Sequence, residues 1–252
     1  MKIAIITGAS SGLGAEFALA INKDPKDIEE IWLIARREEK LRELSKKIKI
    51  KTKILALDIT DYKALEIYKN ALTEEKAQVE LLINNAGFGK LGDFSEISPE
   101  DNAGMIRLNC EALTYFTAIT LPFMDKGGEI INSCSIASFA PNTRMAVYSS
   151  TKAYVMSFSR ALREELKPKK INVLAACPGP MDTEFLPVAG IGKGSSKTFD
   201  TLPRVNPETM AKKSLKASRA KKAVYTNRIF YKFYRILAKI LPHSLVMKMA
   251  GT

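Results

Sequence analysis

Histidine is nearly missing: His243 is the only one in 252 residues. That argues against a serine–histidine–aspartate hydrolase and against a histidine-rich metal centre, since each needs an imidazole at the reacting atoms. Cysteine is scarce too. Cys110, Cys134 and Cys177 form no C-x-x-C pair, and an odd count suits a reducing compartment better than a disulfide framework. No apolar run approaches the roughly 18 residues that begin to suggest a membrane span. The opening apolar run, residues 3–6, is too short for a signal peptide, so a cytoplasmic protein is expected. With 46% hydrophobic and 26% charged residues, the chain can bury a sizeable core and is neither disordered nor fibrous. A net charge of +12 implies attraction to anions: phosphorylated cofactors, acidic lipids, acyl-CoA-like substrates or nucleic acid.

Short apolar, β-rich runs occur at 3–6, 31–35, 53–57, 80–83, 129–132 and 171–176, with a last one at 223–226. Stretches with helical character fill the gaps, near 12–22, 38–48, 61–76, 99–119 and 148–166. Such alternation is what a parallel sheet requires, because each return crossover must carry a helix. Strands apolar on both faces are buried on both, as in a doubly wound sheet. Ser98 followed by Pro99, Glu100 and Asp101 reads as a capped helix start. Residues 178–207 hold five of the eleven prolines and read as a long loop over a site. No linker or repeat divides the chain, so one domain over 1–252 is expected, with a substrate loop at 186–207 and an amphipathic tail at 227–252.

The first chemical signal is Thr7-Gly8-Ala9-Ser10-Ser11-Gly12-Leu13-Gly14, between the first strand and the first helix. Glycines allow a sharp turn and close approach of a pyrophosphate, which free N–H groups at the helix start then hold. An acidic residue about 20 positions on would bind the ribose 2′-hydroxyl of NAD. Here the second strand ends in Arg36 and Arg37. Guanidinium forks suit a 2′-phosphate, which favours NADP(H) over NAD(H) unless both arginines are mere helix-start decoration. Asp58 and Ile59 follow the third strand, where Asp58 is a candidate acceptor for the adenine amino group or a helix cap. Asn84-Asn85-Ala86-Gly87 follows the fourth strand on the carboxyl edge of the sheet, where paired amides can tie strands together and glycine leaves room for a ligand. Tyr148 and Lys152 stand four apart on one helix face, a spacing none of the other seven tyrosines shares. A nearby ammonium would favour phenolate, giving an acid/base for a carbonyl or alcohol oxygen. Ser135, thirteen residues upstream, can hydrogen-bond that oxygen.

Taken in order, these motifs resemble the short-chain dehydrogenase/reductase family over about residues 3–226: the Thr7–Gly14 loop, Asp58, Asn84–Gly87, Asn109, Ser135, Tyr148 with Lys152, and Pro178-Gly179 with Thr183. The resemblance implies a doubly wound α/β Rossmann fold with a seven-stranded parallel sheet and helices on both faces. It implies an NADP(H)-dependent oxidoreductase with Tyr148 as acid/base, Lys152 on the nicotinamide ribose, Ser135 orienting the carbonyl, and Asn109 positioning a relay water, without metal. Gly8, Ser10, Ser11, Gly12, Leu13, Gly14, Arg36, Arg37, Asp58, Ile59, Asn85, Ala86, Gly87, Pro178, Gly179 and Thr183 would contact the cofactor. A homodimer or homotetramer through the helices bearing Asn109 and Tyr148 is also implied. Where the family carries a serine pair, this chain reads Ser133-Cys134-Ser135, and Cys134 is taken as strand packing.

In the tail, Arg228, Lys232, Arg235 and Lys239 form a basic stripe among apolar residues such as Ile229, Phe233 and Ile236. The helix either packs on the core or a sister subunit, or through 227–241 meets an anionic membrane surface or frames an entrance for lipid-like substrates. The substrate reading is a medium-sized apolar carbonyl or alcohol: a steroid, bile acid, acyl or xenobiotic compound, with Phe139, Met145 and Phe185 as pocket walls. Alternatives are a non-catalytic NADP(H)-sensing regulator or a membrane-peripheral lipid carbonyl reductase. A nucleic-acid partner is not expected, because no recognition motif accompanies the charge.

Overall fold

The computed structural model describes residues 1–192, 194 and 196–249; Lys193 and Ser195 of the expected substrate loop and residues 250–252 of the expected tail lie outside the described residues. Seven strands form one parallel sheet: β1 (Lys2–Thr7), β2 (Glu30–Ala35), β3 (Lys51–Ala56), β4 (Gln78–Asn84), β5 (Glu129–Ser133), β6 (Asn172–Ala176) and β7 (Val224–Tyr225). Their spatial order is β3-β2-β1-β4-β5-β6-β7. Successive side chains of a strand point to opposite faces. In β1, Ile3 and Ile5 accordingly enter one core while Ala4 and Ile6 enter the other. The two edges are blunted in different ways. Lys51 and Lys53 mark β3, and β7 is only two residues long, so neither offers a long apolar edge for another chain to extend.

Helices α1 (Gly12–Lys23) and α2 (Glu38–Ser45) follow β1 and β2, and α3 (Tyr62–Glu74) follows β3. After β4 come α4 (Pro99–Ile106), a π-helical segment (Arg107–Ala112) and α5 (Leu113–Thr120). Further on are α6 (Ala146–Glu165), the short α7 (Phe185–Val188) and α8 (Lys197–Thr201), then α9 (Pro207–Arg219), α10 (Ile229–Ile240) and α11 (His243–Met249). Phe17 and Ile21 of α1, Leu41 of α2 and Met210 of α9 pack on one face of the sheet. Tyr68 of α3, Phe116 of α5 and Leu162 of α6 pack on the other, with Tyr68 stacked on Phe116 at 4.0 Å.

Ser98 caps α4 by accepting from Asp101 N at 3.1 Å, with Pro99 in the first turn, as its sequence indicates. The helix expected over 99–119 runs without interruption from Pro99 to Thr120, but residues 107–112 of it are π-helical. The segment expected at 38–48 stops at Ser45, and the Tyr148 helix starts two residues early, at Ala146. The loop over 178–207 contains α7 and α8. Between β1 and β4 the chain direction of the winding reverses, and that switch point opens a crevice beyond the carboxyl ends of the strands. No helix among the described residues is long and apolar enough to cross a membrane.

Candidate functional site

A cavity of about 1020 Å³ occupies that crevice. Every expected site residue lines it except Gly14 and Asn109, which lie just behind its wall. The glycine loop explains its own composition. Gly8 and Gly12 adopt φ of +67° and +53°, the left-handed region that strains any side chain. Gly14 is required by proximity: a Cβ there would stand 2.2 Å from Gly8 O and 2.6 Å from Asn85 Nδ2. Opposite the loop, Thr183 comes within 3.3 Å of where a Cβ on Gly12 would be. Ser11 precedes α1 without making a side-chain cap, so the helix start is left to other acceptors. Such a narrow, donor-rich cradle fits a pyrophosphate-bearing dinucleotide.

Arg36 and Arg37 behave differently. The Arg36 side chain is largely exposed and reaches only 3.8 Å from Asp58 Oδ2. Arg37 crosses to the glycine loop, donating to Ser10 Oγ at 3.1 Å, Ser11 Oγ at 3.0 Å and Glu184 Oε2 at 2.6 Å. Asp58 accepts from Thr60 N and Oγ1 at 2.9 and 2.7 Å. Partial burial pushes its carboxyl up, but the Thr60 hydrogen bonds and Arg36 together hold it below the usual value. The helix-cap role weighed for Asp58 belongs to Asp61, which accepts from Lys63 N at 3.0 Å, because α3 begins only at Tyr62. Ile59 is buried beside it.

The asparagine pair knits the sheet under the crevice. Asn84 donates to Asn132 Oδ1 on β5 and to Thr117 Oγ1 on α5, both at 2.9 Å. Asn85 donates to Thr7 O and Gly8 O at 3.2 and 3.3 Å and accepts from Ser133 Oγ at 3.1 Å. Its side chain thus ties the glycine loop to β5, while Ala86 and Gly87 face the cavity.

At the other end, Ser135, Tyr148 and Lys152 are all buried against the cavity wall. Lys152 Nζ donates to Ser133 O at 2.8 Å and lies 5.7 Å from the Tyr148 ring centroid. Burial lowers the lysine's pKa. The expectation that the ammonium depresses the phenol is overturned in direction. Burial pushes Tyr148 above its usual value, because a desolvated phenolate is disfavoured, with the Ser135 hydroxyl pulling against it. Cys134 is buried with Leu113, Val155 and Cys177, donates to Lys152 O at 3.1 Å and also borders the cavity.

Asn109 sits within the π segment, a distortion often found beside functional sites. Its Nδ2 donates to Phe88 O at 2.8 Å and Thr151 Oγ1 at 3.0 Å, and its Oδ1 accepts from Phe88 N at 3.1 Å. Both side-chain donors are therefore spent on the protein, so the implied water-positioning role cannot come from them. Gly87 makes this clamp possible, for a Cβ there would meet Asn109 Oδ1 at 2.8 Å.

Met145 and Phe185 line the cavity as expected, and Phe185 packs on Tyr148 with centroids 5.6 Å apart. Phe139 does not line it; its ring lies against Tyr234 of α10, 6.0 Å away, in a separate cluster. Pro178 and Gly179 line the cavity from the turn after β6, but Gly179 has a second reason to be glycine: a Cβ would meet the Tyr231 ring at 2.3 Å. Of the readings open for the tail helix, framing the entrance of the site agrees with the structure: Phe230, Phe233, Tyr234 and Leu237 of α10 complete an apolar wall. The helical period of the tail was legible, but not which of its residues face the cavity. Sequence reasoning missed Glu184, since its partner Arg37 is 147 positions away.

Comparison with known proteins agrees with this geometry. The sequence model of the short chain dehydrogenase family matches residues 2–191. An NADP-dependent 3-hydroxy acid dehydrogenase of Schizosaccharomyces pombe is 33% identical over 219 residues, 83% of this chain and 84% of that protein. A short-chain dehydrogenase from Sphingobium yanoikuyae, solved in complex with NADPH, superposes with a TM-score of 0.79 at 26% identity, over 96% of this chain and 97% of that one. A bulky-bulky ketone specific alcohol dehydrogenase from Comamonas testosteroni does so with a TM-score of 0.75 at 26% identity, over 96% and 95%.

Proposed function

Because the chain belongs to the short-chain dehydrogenase/reductase family, we propose that it is an NADP(H)-dependent oxidoreductase interconverting a carbonyl and an alcohol on a medium-sized apolar substrate. One observation carries this reading: Ser135, Tyr148 and Lys152 are buried together on the same cavity that the glycine loop lines at its other end. When bound, the nicotinamide ring supplies or takes up the hydride. Tyr148 supplies the proton to the carbonyl oxygen in reduction, and takes it back in oxidation. Its raised pKa keeps it protonated at neutral pH, ready to act as the acid. Ser135 Oγ accepts from Ala137 N at 3.1 Å, which fixes the oxygen beside the Tyr148 phenol, where its hydroxyl would bond the substrate oxygen. Lys152, braced by Ser133 O, would hold the ribose hydroxyls of the cofactor. Asn109 is a positioning residue that sets Phe88 and Thr151 around the catalytic helix.

Two arginines and no carboxylate at the end of β2 support NADP(H), in keeping with the NADP dependence of the fission-yeast relative and the NADPH bound to the Sphingobium enzyme. The wall made by Leu186, Phe199, Leu202, Phe230 and Leu237 supports an apolar substrate. Exposed Ile106, Tyr115 and Tyr154 on α4, α5 and α6 support a homo-oligomer through those helices. The deciding experiment is Tyr148→Phe assayed with NADPH and a panel of ketones. Turnover falls by roughly 10²-fold or more while NADPH binding persists; a variant that still turns over refutes the assignment.

A further inference from the structure

Residues 209–252 contain eleven lysines and arginines and no aspartate or glutamate, so nearly the whole net charge of +12 resides in this one stretch. Within it, α10 exposes Ile229, Phe233, Ile236 and Ile240 by 84, 58, 55 and 73%. Spacings of four, three and four residues place these side chains in a single stripe. Arg228, Lys232, Arg235 and Lys239 each stand one residue earlier, so a basic stripe runs alongside, rotated by about 100°. No acidic side chain pairs with Lys232, Arg235 or Lys239 among the described residues.

The opposite face is already engaged. Tyr231 and Ala238 are buried, and Tyr231 Oη donates to Pro203 O at 2.7 Å with its ring against Gly179. The exposed stripe therefore cannot turn inward without giving up that contact. A second copy of the chain is a poor occupant, because two-fold pairing of the stripes would bring the flanking cations of both copies together with no carboxylate in either segment to neutralise them. A soluble phosphorylated ligand would use the lysines but leave the isoleucines in water. A surface offering acyl chains beside phosphates satisfies both stripes at once.

We propose that α10 docks flat on an anionic lipid bilayer, with the isoleucine stripe in the acyl boundary and Lys232 and Lys239 among the headgroups. Phe233 belongs both to the exposed stripe and to the cavity wall. Docking thus turns the mouth of the cavity toward the lipid. The docking itself does not depend on the reaction proposed above.

Flotation of the full chain with vesicles tests this, using phosphatidylcholine alone or mixed with phosphatidylglycerol. The protein floats with the mixed vesicles, far less with phosphatidylcholine alone, and raised salt weakens the association. The double variant Ile236→Gln/Ile240→Gln lowers the partition coefficient by about tenfold or more, and Lys232→Gln/Lys239→Gln by about fivefold per lysine. Both variants keep the parent's NADPH affinity and circular dichroism, which separates lost docking from lost folding. Failure of the parent to float with phosphatidylglycerol vesicles overturns the proposal, as does flotation that neither double variant reduces. A parent that self-associates without lipid, and becomes monomeric in the isoleucine variant, overturns it in favour of a subunit contact.

Discussion

Replacing Gly14 by alanine sets two effects of opposite sign against each other. Gly14 is the third residue of α1 and has ordinary helical dihedrals, so propensity alone makes alanine favourable by roughly 1 kcal/mol. The new methyl, however, would stand 2.2 Å from Gly8 O, 2.6 Å from Asn85 Nδ2 and 2.8 Å from Gly8 C. Heavy atoms in contact prefer about 3.5–4.0 Å, so α1 must withdraw by about 1 Å. Neither neighbour gives way readily. Gly8 is backbone, held in a left-handed turn, and Asn85 is fixed by Thr7, Gly8 and Ser133. Overpacking of this kind outweighs propensity, for a net loss of about 1–3 kcal/mol. At about 2–4 °C per kcal/mol for a chain of this size, the melting temperature drops by several degrees. Because the displaced residues are the cradle itself, NADPH affinity falls as well, by about tenfold or more for a 1.4 kcal/mol loss. Gly104→Ala in α4 is the matched control. Its methyl would meet only the Phe88 ring, at 3.3 Å, and a side-chain ring can tilt away. Thermal melts by circular dichroism and calorimetric titration with NADPH read both effects. A Gly14→Ala protein that melts and binds as the parent does refutes the close-packing argument.

Arg36→Ala weakens NADPH by roughly tenfold to a hundredfold, the range of a charge-assisted hydrogen bond, while leaving NADH affinity unchanged; equal losses for the two nucleotides assign Arg36 to general surface charge instead. A third expectation concerns alkaline pH. Tyr68 and Tyr148 are buried, and burial raises both phenols above their usual value. A raised folded pKa means that their contribution is intact below about pH 10 and is lost as pH rises above it, at up to about 1.4 kcal/mol per pH unit for each tyrosine. Urea denaturation across that range should show the decline, and Tyr68→Phe, which also loses the 2.6 Å bond to Thr120, should remove one tyrosine's share of the slope. An unchanged slope contradicts the assignment of the buried phenol.

Local chemistry in the sequence determined a great deal. Apolar runs buried on both faces implied parallel strands, and the alternation with helices implied a doubly wound sheet. Glycines at 8, 12 and 14 implied a cradle, and the four-residue spacing implied that Tyr148 and Lys152 share a face. These properties depend on neighbours within about one helical turn or one strand–turn–helix unit, so a linear reading reaches them. What depended on distant partners was decided only in three dimensions. The π segment that turns Asn109 onto Phe88 and Thr151, the Arg37–Glu184 pair and the packing of Tyr231 on Gly179 join residues 21 to 147 positions apart in their hydrogen-bonded pairs. The direction of the Tyr148 shift was also a tertiary outcome, since burial depends on what the rest of the chain places around the phenol. Likewise, the tail's period announced a helix with an apolar stripe and a basic one, but only the packed fold decided which side of α10 meets the cavity and which is left facing outward.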